Sequence, residues 1–362
     1  MTSRQAYIAF NLTDKVGFAT VEKLAQEAGG VVAAWERYPR KVSRTGGEVE
    51  WEREEELAAK RNVKLVTLAD EEYPAHLKSA PGAPLVLYVK GDVSALKQPA
   101  LALVGTRRAT QYGLSIAHNL AYDLAQAGWS IVSGLATGID AASHRGALEA
   151  KGVTVGVIGS GLDRFFPEEN LPLAREMVEN GGAVVSEFPF GRSADQTTFP
   201  IRNHVVAALA RGVIAVESPA KSGTLITTSI AADLGRTVMA VPGRIDSSAS
   251  VGCNGLIREG AILVRNADDV LEAMSELFPP SMKRTKSPVE EQSAPDPSRP
   301  TYSVEEAMVM LHVDDDGISI DDLVRKTGLK IDKVNSLVMT LRLKGFLKFL
   351  PGNRVAPLRP RN

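Results

Sequence analysis

The chain has 362 residues, 44% apolar and 23% charged, and its 42 basic and 43 acidic residues leave a formal net charge of −1. That length suits two or three domains with real cores, and the even balance excludes a polycation, so any nucleic-acid contact must come from local basic clusters. The single cysteine, Cys253, excludes an intrachain disulfide framework and a cysteine-rich zinc site, and it suits a reducing compartment. No run approaches the roughly 18 apolar residues of a membrane helix, and MTSRQAYIAFNLTDKVG lacks the apolar stretch of a signal peptide. A soluble, cytoplasmic protein is expected, with no membrane contact.

Residues 1–82 are mostly helical in pattern. LTDKVGFATVEKLAQEAG sets Val16, Val21, Leu24 and Ala25 on one side, with Gly17 at a turn. This suits a small SAM-like or helix–hairpin–helix domain. Such a module serves either as a packing and protein-contact element or as a non-specific binder of DNA backbone.

Residues 83–280 alternate short apolar runs with longer amphipathic ones. LALV (101–104), SIVS (130–133), TVGVIG (154–159), AVVSEF (183–188), VIAVES (213–218) and TVMAVPG (237–243) read as buried parallel strands. YGLSIAHNLAYDLAQAG and HRGALEAKG read as helices stopped by glycine. The pattern predicts an α/β fold, a Rossmann-like, doubly wound and mostly parallel sheet. Its ligand crevice should lie beyond the carboxyl ends of the strands.

Those strand ends repeat one chemistry. Gly105 and Thr106 follow the first strand, Ser133 and Gly134 end the second, and Ser222, Gly223 and Thr224 follow the fifth. Glycine lets the backbone turn tightly, and the helix that follows offers free N–H groups and a positive dipole end to an anion. Helix capping alone explains any one such loop; several on one edge suggest a phosphate-binding rim. Cations stand close by in sequence. Arg107 and Arg108 follow the first strand, Arg202 and Asn203 come just ahead of a helix in FPIRNHVVAALARG, and Lys221 precedes the SGT turn. Arg202 equally suits an ion pair with Glu187 or Glu217. Asp140 suits helix capping, and His144 suits packing.

Several chemistries find no support. AKSGT is not a Walker A loop, because Lys221 precedes the glycine, and GTRRATQYG is not the dinucleotide fingerprint. The five histidines have no metal-ligand spacing. No catalytic residue, metal or cofactor is expected.

A composition break, PPSMKRTKSPVEEQSAPDPSRP, predicts a disordered linker over 281–300. Residues 301–362 then read as a winged helix. Val304, Ala307, Met308 and Leu311 form the apolar face of its first helix, and Val334, Leu337, Val338 and Leu341 that of its third. The exposed face of the third helix carries Lys330, Lys333, Asn335 and Thr340. From Arg342 onward there are six basic residues and no acidic ones. Double-stranded DNA or a protein are both suitable contacts, and the acidic run DDDG would repel DNA on its side.

VGTRRATQYG, SGLATGIDAASHRGAL, VIGSGLDRFFPEEN, SEFPFG, FPIRNHVVAALA, ESPAKSGTLITTSIAADLGRTVMAVPG and GCNGLIREGA together resemble, in order and spacing, the DNA-processing protein A (DprA/Smf) family. The likeness runs over roughly residues 65–275. It implies a recombination mediator that binds and protects incoming single-stranded DNA during natural transformation and loads RecA onto it. It also implies a homodimer formed through the Rossmann domain. Arg107, Arg202, Asn203 and Lys221 to Thr224 match the family's basic pocket motifs, whereas His204 stands where many members carry a second basic residue. The alternative is a nucleotide-processing enzyme. Rossmann-like phosphoribohydrolases carry PGGxGTxxE, but here PAKSGTLIT has Ile226 and Thr227 where the catalytic carboxylate would be needed.

Overall fold

The computed structural model describes residues 1–39, 43–45, 48–275, 303–313, 317–344, 346–350 and 354–357. The chain divides into two units, Met1–Lys286 and Ser287–Asn362. The linker expected over 281–300 and the acidic run at 314–316 lie outside the described residues.

The first unit opens with helices α1 (Ser3–Leu12), α2 (Phe18–Ala28), α3 (Val31–Arg37) and α4 (Trp51–Lys60). A capping box starts α1: the Thr2 hydroxyl accepts the Gln5 N–H, and the Gln5 side chain accepts the Thr2 N–H. Gly17 is the N-cap of α2 and sits between buried Val16 and Val21. Phe10 and Trp35 meet edge to face, with ring centroids 5.0 Å apart.

The alternating region follows as β1 (Lys64–Thr67), α5 (Ala75–Lys78), β2 (Val86–Gly91), β3 (Ala100–Gly105), α6 (Gln111–Gln126), β4 (Ser130–Ser133), α7 (Ile139–Glu149), β5 (Thr154–Val157), α8 (Leu171–Glu179) and β6 (Ala183–Ser186). It continues with α9 (Thr198–Leu209), β7 (Gly212–Glu217), α10 (Gly223–Asp233), β8 (Thr237–Ala240), α11 (Val251–Arg258), β9 (Ile262–Leu263) and α12 (Ala267–Met274). All strands lie in one sheet of order β1-β2-β6-β5-β4-β3-β7-β8-β9. The six expected strands pair in parallel. β1 and β2 add an antiparallel edge, and β9 extends the opposite one.

The apolar runs are continuous because both faces are covered. Leu101 and Leu103 pack into the cluster with Leu120, Leu124 and Val270, while Ala102 and Val104 join Val205, Leu209 and Ala231 on the other face. Full burial of one such Leu or Ile contributes about 1.5–3 kcal/mol. α6 and α7 pack backbone to backbone at Gly146, where a Cβ would come 2.1 Å from the His118 carbonyl oxygen.

The second unit is a winged helix: α13 (Val304–Met310), β10 (Ile318–Ser319), α14 (Ile320–Thr327), α15 (Ile331–Leu343), β11 (Leu347–Leu350) and β12 (Arg354–Pro357), with strand order β10-β12-β11. Val334, Leu337, Val338 and Leu341 are buried as expected. The face of α13 differs from expectation. Val309 and Glu306 are buried, whereas Met308 is 41% and Leu311 80% exposed. Lys344 explains the difference, because it donates at 2.8 Å to both Glu306 carboxylate oxygens and draws that polar position inward.

Buried charge ties the N-terminal helices to the loop after β6. Glu54 accepts the Phe190 N–H at 2.9 Å, and Asn11 donates to the Glu187 carbonyl at 3.3 Å. Burial pushes the Glu187 carboxyl from 4.5 up to about 8, against the opposing pull of Arg44. The unfolded chain therefore ionises first as the pH rises from 4.5 towards 8, and stability is lost over that window. Glu187→Gln should flatten the fall in melting temperature between about pH 5 and pH 8. Parallel falls in variant and parent, followed by differential scanning fluorimetry, would remove Glu187 as the cause.

Candidate nucleic-acid interface

β3 and β7 are neighbours in the sheet, but the chain leaves them in opposite directions, towards β4 and towards β8. The two strands stay paired to their last residues, Gly105 and Glu217, but the crossovers that follow part, and a cleft of about 480 Å³ opens there, at the topological switch point. The turn after β3 brings Gly105, Thr106, Arg107 and Arg108 to it; the turn after β4 brings Gly134; α9 brings Arg202 and Asn203; and the turn after β7 brings Lys221, Ser222, Gly223 and Thr224. Ser133 is the one candidate left out. It is fully buried, and its hydroxyl donates to the Leu103 carbonyl at 2.6 Å. Sequence reasoning passed over Gln196, which also lines the cleft and had only its place ahead of FPIRN to mark it.

The rim is less uniform than the repeated loops suggest, because three helix starts already hold a carboxylate. At α6, Glu217 accepts the Thr110 N–H at 2.9 Å and the Thr110 hydroxyl at 2.7 Å, and it is buried at 2% exposure. Ahead of α7, Asp140 accepts the N–H groups of Gly134 at 3.1 Å and Ala136 at 3.3 Å. At α9, Asp195 accepts those of Thr197 at 2.8 Å and Thr198 at 3.1 Å. The α10 start is different. Ser222 makes no side-chain cap, its hydroxyl pairing with Ser218 at 2.6 Å, and no group among the described residues accepts the Gly223 or Thr224 N–H. These donors, at the positive end of the helix dipole, face the cleft.

The cations divide into free and engaged. Arg108 and Lys221 are exposed, and no carboxylate among the described residues pairs with either. Arg107 is exposed and lies over the Phe199 ring, 4.8 Å from its centroid, with the Phe166 ring 6.2 Å further on. Arg202 and Asn203 are not ahead of a helix; α9 begins at Thr198 and contains both. Arg202 is 6% exposed and pairs with neither Glu187 nor Glu217. Its Nη1 donates to the carbonyls of Gly134 and Val157, the latter at 3.0 Å. Burial pushes the Asp140 carboxyl above the usual range, and Arg202 opposes the shift. The His204 ring bonds the Pro81 carbonyl at 2.8 Å and takes no place in the cleft. His144 is fully buried against the Thr154 hydroxyl at 2.7 Å, a packing position.

In the winged helix, the expected basic face of α15 is partly neutralised. Lys333 pairs with Glu305 at 2.7 Å, Arg342 lies over the Phe349 ring at 5.0 Å, and Asp332 is exposed on the same helix.

Comparison with known proteins agrees with this architecture. A family model described as DNA recombination-mediator protein A matches residues 64–275, and one described as the DprA winged helix domain matches residues 292–353. Protein Smf of Escherichia coli is 33% identical over 297 residues, covering 81% of this chain and 77% of that protein. The X-ray structure of DNA processing protein A from Streptococcus pneumoniae superposes with a TM-score of 0.61 at 32% identity, covering 75% of this chain and 98% of that one. The Helicobacter pylori protein, whose structure is described for its single-stranded DNA binding mode, superposes at 0.53 with 29% identity, covering 59% of this chain and 96% of that one. With one family model spanning more than half of its length, the chain belongs to the DNA recombination-mediator protein A family, DprA/Smf.

Proposed function

We propose that this protein binds single-stranded DNA in the cleft beyond the carboxyl ends of β3 and β7, with the 83–280 domain as the binding domain. The open α10 start carries this reading: unpaired Gly223 and Thr224 N–H groups, beside free Lys221, in a cleft whose other wall holds Arg107 and Arg108. Backbone donors and cations of this kind recognise phosphate without reading base, so binding is sequence-independent and salt-sensitive. Asn203 donates weakly to the Gly223 carbonyl at 3.5 Å and keeps the turn beside α9. Thr106 stands on the Arg107 side. The likeness to the Helicobacter pylori protein supports the choice of a single strand.

The reading extends to a non-enzymatic recombination mediator in the cytoplasm, a homodimer that protects incoming strands during natural transformation and hands them to RecA. Family membership supports this part. An enzymatic alternative lacks its acid: Ile226 is 45% exposed beside the SGT turn, and the Thr227 hydroxyl is spent on the Gly223 carbonyl at 3.1 Å.

Lys221→Ala should weaken binding of oligothymidylate and lower the slope of log affinity against log salt by about 0.7, the share of one phosphate. Anisotropy titrations at several salt concentrations read this, and an unaltered slope would place Lys221 away from the strand. Incubation with nucleoside monophosphates should release no free base; turnover seen by chromatography would favour the enzyme instead. Adding the protein to RecA and a single strand should shorten the lag before filament growth, and the protein alone should sediment as a dimer. An unchanged lag would remove the handover, and a monomer would remove the assembly.

A further inference from the structure

The turn between β4 and α7 holds an unfavourable backbone in place. Leu135 has φ 53°, a left-handed conformation that residues with a Cβ rarely adopt. Four of the polar groups around it are taken. Asp140 accepts the N–H on each side, from Gly134 and Ala136, and Asn170 donates to the Leu135 carbonyl at 2.8 Å. Arg202 donates to the Gly134 carbonyl. The two opposite charges thus grip both poles of Gly134, where a Cβ would lie 2.7 Å from Asp140 Oδ2 and inside the Arg202 guanidinium. Four residues further on, Gly138 presses against the next loop: a Cβ there would meet the Thr106 carbonyl oxygen at 2.4 Å and that of Arg107 at 2.8 Å. The Ile139 N–H also donates to the Thr106 carbonyl at 3.3 Å. The position of Arg107 therefore depends on the 134–138 turn. Phe199, under the Arg107 head group, lies one helical turn from Arg202 on α9.

We propose that Arg202 acts on the cleft as a positioning residue: with Asp140 it fixes the 134–138 turn and, through that turn, the place of Arg107. Its Nη1 is committed to two carbonyls, and its Nε, though unpartnered, is shut off from solvent, which leaves Nη2 as the one nitrogen of the head group open to the cleft. The proposal rests on the reading of the cleft as a single-strand site.

The test is an anisotropy titration of the full chain with oligothymidylate across a range of salt, comparing Arg107→Ala, Arg202→Gln and the double variant. Arg202→Gln alone should lower affinity by the same factor as Arg107→Ala. In the Arg107→Ala background it should change neither affinity nor salt slope. A further drop in slope of about 0.7 there would make Arg202 a direct phosphate ligand and overturn the proposal. A further loss of affinity at constant slope would mark general structural damage and overturn it as well. Should Arg202→Gln fail to fold, Asp140→Asn, which keeps the side-chain shape, is measured in the same two backgrounds with the same expectation. If Arg107→Ala itself leaves binding intact, the cleft reading fails first, and this proposal with it.

Discussion

A parallel sheet buried on both faces passes the carboxyl end of each strand to a helix whose first N–H groups have no partner within the helix. Each such turn exposes N–H groups that must be satisfied. This chain meets the demand internally at α6, ahead of α7 and at α9, with Glu217, Asp140 and Asp195. Only the α10 turn is left open among them, and it stands where the crossovers from β3 and β7 part. The location and the sign of the candidate site both follow from this one constraint. An anion finds unoccupied donors at that turn and negative charge at the three others.

Much of the fold was legible from composition and period. Runs such as LALV and VIAV contain no polar break, and only a strand covered on both faces tolerates that. β1 and β9 were not legible: one has four residues and the other two, with Ile262 and Leu263 exposed. Strand order was hidden as well, since it depends on which crossover goes left and which goes right. The α13 face was misread because a buried Glu306 is invisible until its partner Lys344, far along the chain, is in place.

The site was legible in membership more than in role. Glycine and hydroxyl residues at strand ends did converge, apart from Ser133, whose side chain points into the sheet. Residue type could not separate a cation that faces water from one that braces a loop. Arg108 and Arg202 look alike in sequence; one is exposed, and the other is 6% exposed against two carbonyls. Nor could type reveal that Asp140 and Glu217 had already claimed the donors on which an anion site would draw.

The contact of Gly138 with the Thr106 and Arg107 carbonyls has a consequence for engineering. The two loops share a single surface with no room for a methyl group between them, so they behave as one machined part. Grafting either loop alone onto another sheet of this type would carry over the letters of the motif without its shape.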